Sequence, residues 1–130
     1  MWLVIMTVAM FAAVGLVSDG GQAMAVKGTA IGDAFGAARA GADALDRNGF
    51  AQGGRPAPDA AAARAAAAQF LAAAGVPAGR YQIVVNAQEV TVSVTLSSPT
   101  PILSAIGVGP RNVTGRGNAQ AVYGVRVAAP

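Results

Sequence analysis

The chain has 130 residues, no cysteine, no histidine and a net charge of +3. Its length allows one small domain once an apolar N-terminal run is set aside. Without cysteine or histidine it has no disulfide framework, cysteine nucleophile, histidine base or usual zinc ligand. The six acidic residues are scattered along the chain. We therefore expect no enzymatic activity, no metal, no cofactor and no small-molecule substrate.

Residues 1–18 contain no charged side chain. As a helix they would be roughly 27 Å long, close to the hydrocarbon core of a bilayer, about 30 Å. The sequence therefore predicts a transmembrane anchor over 1–18 with the lipid bilayer as its partner. Trp2 suits one membrane boundary, and Asp19, Gly20 and Gly21 suit the other. A cleaved signal peptide is the alternative, although the usual basic segment is absent.

Residues 19–47 continue the same helical pattern and predict a stalk, so that one helix runs from Trp2 to about Asp46. One face of this stalk is predicted to pack against the head, because its apolar residues recur at spacings of three and four. That face consists of Ile31, Phe35, Ala38, Ala42 and Leu45. A different face carries Gly28, Gly32 and Gly36, where a neighbouring helix could approach closely.

Glycines and prolines over 48–58 predict a linker that ends this helix. Asp59, which follows Pro58, is predicted to be the N-cap of an alanine-rich second helix that extends to Ala74. Gly75 and Pro77 then provide the stop. With so few large side chains, this helix is predicted to form a thin layer on its neighbours.

From Arg80 onward, apolar residues alternate with polar ones, which indicates strands. Two strands over 81–87 and 90–96 are predicted to form a hairpin. A short apolar turn or helix follows and ends at Gly107, and a last strand is predicted from Asn118 to Val127. The fold class is therefore α+β, with a head over 59–130 containing a small antiparallel sheet of about three strands.

Positive charge is concentrated in the distal part of the chain. Beyond Gly49 there are six arginines and only two acidic residues, Asp59 and Glu89. An acidic polymer would be attracted to this part. The candidate contacts are Arg80, Arg111, Arg116 and Arg126. The arginines are dispersed and no nucleic-acid-binding motif accompanies them, so a purely solvating role is the competing interpretation.

The segment GLVSDGGQAMA over 15–25 resembles the "GLVxDGGxALA" signature of the bacterial TadE/TadG-like proteins, pilin-like minor components of tight-adherence (Tad) pili. Residues 37–46 are similar to the alanine-glycine stretch of that family. The resemblance implies a pilin-like fold, a single-pass anchor in the cell membrane and a head that is extracytoplasmic or on the cell surface. It also implies a structural role, with other pilin-like subunits or pilus assembly proteins as partners.

This sequence departs from the family pattern at its start. Residues 1–18 show neither a basic cytoplasmic segment nor the glutamate of a pilin-type processing site. Insertion among pilin helices through such a glutamate is therefore not expected here. The main rival hypothesis is an extracytoplasmic binding module for nucleic acid or an anionic envelope polymer, either anchored or released by signal cleavage.

Overall fold

In the computed structural model the described residues are 1–51, 59–86 and 89–121, with only the backbone described for 45–51 and Ile106. The fold is α+β, as predicted. Its elements in chain order are helix α1 (Trp2–Ala51), helix α2 (Ala60–Ala73), strands β1 (Tyr81–Val85) and β2 (Glu89–Ser98), a 3₁₀ helix (Leu103–Ile106) and strand β3 (Arg111–Gln120).

The three strands form one antiparallel sheet in the order β1-β2-β3. Tyr81 lies opposite Val94, which confirms the predicted hairpin. Burial alternates along β2, and its inward-facing residues Val90, Val92 and Val94 are fully buried. Period-two alternation had indicated this arrangement directly, since successive side chains of a strand point to opposite faces.

The last strand begins earlier than predicted, at Arg111 rather than Asn118, and pairs with β2 along its whole length. The inward positions before Asn118 include Gly115 and Gly117, both buried. Glycine contributes no apolar side chain, so the alternation that reveals a strand is invisible there. The rest of the predicted strand, from residue 122 on, lies outside the described residues.

Helix α1 packs its backbone almost directly on these two glycines of β3. A Cβ added at Gly115 would overlap the backbone of Ala30 and Ile31, and one at Gly117 the backbone of Ala34 and Phe35. The helix side of the contact is made of alanines, and Ala30 and Ala34 are fully buried. One face of α1 over residues 30–42 is therefore part of the head's own core.

Because α1 approaches β3 so closely, the buried face of α1 differs from the predicted apolar face. Ala38 and Ala42 are buried as expected, but Phe35 is 48% exposed and Ile31 only half-buried. Large side chains cannot enter an interface in which helix and strand backbones nearly touch, so they lie at its edges. The side chain of Leu45 lies outside the described residues.

Both ends of α2 lie close to where the sequence predicts them. Oδ1 of Asp59 accepts hydrogen bonds from the Ala61 and Ala62 amides at 3.0 and 3.2 Å, which confirms the N-cap. Gly75 takes the left-handed conformation with φ of +78° at the other end.

Helix α1 continues to Ala51, past the predicted end at residue 47. The interior Gly49 costs only about 1 kcal/mol relative to alanine and does not end a helix by itself.

Candidate membrane anchor and its junction with the head

Residues 2–18 of α1 present apolar side chains in every direction. Among the described residues the candidate span is Trp2–Ala44, and only 11% of its most apolar 18-residue stretch is buried. The large apolar residues here are 60% exposed or more: Met1, Trp2, Leu3, Val4, Ile5, Met6, Val8, Met10, Phe11, Val14, Leu16 and Val17. A soluble monomer rarely exposes more than a few hundred Å² of contiguous apolar surface. This segment is long and apolar enough to cross a membrane.

This segment has few polar side chains, and the hydroxyl nearest its middle is paired within the helix. Thr7 carries the only hydroxyl side chain before Ser18. Its Oγ1 donates a hydrogen bond to the Leu3 carbonyl, one turn earlier, at 2.7 Å. A hydroxyl paired in this way is compatible with hydrocarbon, where an unpaired polar group is costly.

Asp19 joins α1 to the head. Its side chain is 2% exposed, and Oδ2 accepts a hydrogen bond from the Leu103 amide at 2.8 Å. One turn earlier, a Cβ added at Gly15 would lie 2.7 Å from Cγ2 of Ile102. The chain around the 3₁₀ helix therefore packs against α1 at Gly15 and Asp19. We call residues 99–107, which include the 3₁₀ helix, the junction turn.

The contact of Asp19 with the junction turn was not predicted from the sequence, which indicated a residue at the membrane boundary. Its partner Leu103 is 84 positions away. The other carboxyl oxygen, Oδ1, is buried without a hydrogen-bond partner among the described residues. In the sequence Asp19 stands out only as an acidic residue at the end of an uncharged run, and this does not indicate which residue it contacts.

Replacing Asp19 with alanine is expected to loosen the junction turn. The change removes the acceptor of the Leu103 amide, and a buried unpaired donor costs about 1–3 kcal/mol. Hydrogen exchange of that amide in micelle-bound protein should accelerate roughly 5- to 150-fold, because about 1.4 kcal/mol corresponds to tenfold. Asp19→Asn keeps an oxygen in place and should accelerate exchange less. Equal rates in the wild type and Asp19→Ala would contradict the contact.

The glycines singled out on α1 fall into two groups. Gly36 is covered by α2, since a Cβ there would collide with the ring of Phe70. At Gly20, Gly21, Gly28 and Gly32 an added Cβ would meet nothing within 4 Å. The second group thus leaves an open, narrow helix surface above the apolar segment.

Two of the four candidate arginines meet on the outer face of the sheet. Arg80 and Arg116 line one shallow concavity, whose other walls carry hydroxyl groups from Ser93, Thr95 and Thr114. Nη1 of Arg80 donates a hydrogen bond to Oδ1 of Asn112 at 3.2 Å. The hydroxyls of Thr95 and Thr114 are 3.0 Å apart. Two guanidinium groups beside hydroxyls provide donors for a phosphate or carboxylate group.

Of the other two candidate arginines, Arg111 does not line this concavity. Arg111 begins β3 and lies opposite Ser98, at the end of the sheet next to the junction turn. Arg126 lies outside the described residues. Among residues 1–51, 59–86 and 89–121 there is no group of three acidic side chains that could hold a metal ion.

Comparison of the chain with protein-family models, with curated proteins and with solved structures found no match.

Proposed function

We propose that this chain is a single-pass membrane protein whose head lies outside the cytoplasm and serves a structural, non-enzymatic role. The observation that supports the anchor is the continuity of α1. Residues 2–18 expose apolar side chains on all sides, and one face of residues 30–42 is buried within the head. A rigid connection of this kind transmits the position of the anchor to the head without a flexible stalk.

The assembly we propose is a Tad-type pilus or secretion system, in which the chain is a pilin-like component. The support is the resemblance over residues 15–25 together with a long N-terminal helix that belongs to both anchor and head. In this proposal neighbouring subunits or assembly proteins pack against the open helix surface at Gly28 and Gly32. Glycine at these positions lets a neighbouring helix approach closely.

Shearing of surface filaments from producing cells tests this function. Filament, membrane and medium fractions are probed for a C-terminal tag, and external protease is added to intact cells. Full-length protein in the membrane fraction, with the tag removed by protease, is the result expected of the anchor, and full-length protein in the filament fraction as well is the result expected of a pilus component. Shortened soluble protein in the medium would instead make residues 1–18 a signal peptide. Full-length protein confined to the membrane of a strain with normal filaments would argue against a filament component.

A second function is supported by the concavity of Arg80 and Arg116: binding of a phosphate-bearing polymer, either nucleic acid or an anionic envelope polymer. Both guanidinium groups line one concavity rather than being dispersed over the head. Each phosphate contact contributes to affinity through counterion release, so binding weakens steeply with salt.

Replacing both arginines with glutamine is expected to weaken binding of a single-stranded oligonucleotide to the full chain in micelles. Loss of two phosphate contacts should reduce the slope of log K against log salt by roughly 1 to 2. The matched control is Arg64→Gln, an exposed arginine on α2. Inorganic polyphosphate serves as a second probe that carries no bases. Equal salt slopes for the double variant and the control would exclude this concavity as the binding surface.

A further inference from the structure

The contact between Ile102 and Gly15 limits how much of α1 can cross a bilayer alone. Helix α1 is clear of the head only up to Val14, because a Cβ at Gly15 would lie 2.7 Å from Ile102. The helical residues 2–14 are roughly 20 Å long at about 1.5 Å per residue, well short of a hydrocarbon core of about 30 Å. If residues 1–18 span the membrane, the junction turn lies at or below the membrane surface on that side.

The junction turn is uncharged and partly apolar, which suits a position at or below the membrane surface. No charged residue occurs between Glu89 and Arg111. Ile102 leaves 43% of its surface exposed although it also contacts α1. Leu103 is half-buried beside it. An exposed apolar side chain adjoining an apolar helix extends the surface that is favourable in lipid.

The backbone of the turn is also largely paired within the protein. Pro99 and Pro101 have no amide hydrogen, and the Leu103 amide is paired with Asp19. Further bonds of 2.8–3.2 Å are Ser104 N to Thr100 O, Ala105 N to Ile102 O, Gly107 N to Ser104 O, Val108 N to Leu103 O, Thr100 Oγ1 to Val108 O and Ser104 Oγ to Pro101 O. Irregular backbone next to lipid is costly unless its polar groups are satisfied in this way.

The charge next to the turn is placed for a membrane surface. Gly115 packs at Ala30 and Gly117 at Phe35, so β3 runs in the same direction as α1, away from the apolar segment. Its first residue, Arg111, is therefore at the end nearest the anchor, directly after the uncharged stretch. An arginine at this level can place its guanidinium among lipid phosphates while its stem covers apolar surface.

From these observations we infer that the junction turn is a second membrane contact, with Ile102 seated in the interfacial layer of the bilayer beside α1. This inference rests on the proposed anchoring of α1. The hydrogen bond from Leu103 to Asp19 holds the turn at that depth. The head is then fixed to the bilayer at two points, the helix and the turn, which restricts its tilt and its rotation about the helix axis.

A fluorescent label at the turn tests this contact in the full chain. The protein has no cysteine, so Ile102→Cys or Ala105→Cys carries a single polarity-sensitive probe. Each variant is reconstituted in vesicles of phosphatidylcholine and phosphatidylglycerol that contain lipids with a nitroxide quencher. The quencher is attached either near the start or near the end of the acyl chain. The matched control is Ala65→Cys, exposed on α2.

We expect blue-shifted emission at both turn positions and a larger loss of emission from the shallow quencher than from the deep one. The Ala65 probe should emit as in water and lose little emission. Flotation of the same vesicles reports anchoring separately. Protein that floats while the turn probes behave like the Ala65 probe overturns the inference and leaves the anchor intact. Protein that does not float overturns the proposed anchoring and the inference with it.

The second labelled position protects the test from a packing artefact. Ile102 contacts α1, so a probe there could disturb the turn, whereas Ala105 is exposed. Quenching at Ala105 with folded protein supports the contact even if the Ile102 variant misfolds. Water-like emission at Ala105 together with normal hydrogen exchange at Leu103 would show an intact turn that does not touch lipid.

Discussion

The Gly117→Ala variant is expected to lose the native contact between α1 and the sheet. A Cβ at this position would overlap the backbone of Ala34 and Phe35, and a helix backbone cannot move aside as a flexible side chain can. Overpacking typically costs 1–3 kcal/mol and sometimes more, so we expect about 3 kcal/mol here. For a head of this size, Tm should fall by roughly 10–20 °C. Thermal unfolding of micelle-bound protein, followed by near-ultraviolet circular dichroism, measures the change.

The control is Gly28→Ala, which adds the same methyl group to a glycine that meets nothing within 4 Å. Alanine has the higher helix propensity, so this variant should unfold at an equal or higher temperature, with a gain of up to about 1 kcal/mol. Gly115→Ala should resemble Gly117→Ala, because its Cβ would overlap Ala30 and Ile31 in the same way. If the Gly117 and Gly28 variants unfold alike, α1 does not lie on β3 as described.

The Val8→Asp variant is expected to abolish stable membrane insertion. Val8 lies near the middle of the apolar run, and 63% of its side chain is exposed, so the change disturbs no packing within the head. Aspartate at the centre of a membrane helix costs about 3 kcal/mol relative to an apolar residue, roughly a 100-fold fall in the ratio of inserted to free chains. Alkaline extraction of membranes, followed by detection of the tag, measures the inserted fraction.

Ala25→Asp provides the matched control for this variant. It places the same carboxylate on an exposed position of the same helix, beyond the uncharged run. We expect it to remain in the membrane fraction like the wild type. If Val8→Asp is retained equally well, residues 1–18 are not the segment that holds the protein in the membrane.

Local chemistry explains which parts of the fold could be predicted. The alternation in β2 and its pairing with β1 follow from side chains that alternate between faces. Asp59 and Gly75 define the ends of α2 through hydrogen bonds and backbone angles within a few residues. The start of β3 was missed for a related reason: Gly115 and Gly117 carry no side chain, so the strand has no hydrophobic pattern to detect.

The candidate site also has some features that the sequence predicts and others that it does not. The uncharged run was visible in the sequence, and the structure has a helix there that is long and apolar enough to span a membrane. The pairing of Asp19 with Leu103 was not visible, because the two residues are 84 positions apart. The meeting of Arg80 and Arg116 likewise depends on β1, β2 and β3 lying side by side.

The sequence by itself determined the element types, the uncharged N-terminal run and the absence of cysteine and histidine chemistry, because these depend on neighbouring residues or on composition. Only the tertiary structure shows that α1 packs against the backbone of glycines in β3, with the larger Phe35 at the edge of that interface. It also shows that Asp19 accepts a hydrogen bond from the junction turn. These features depend on distances between segments far apart in the chain. Such distances are set by how closely two backbones can pack, and no local pattern of residues encodes them.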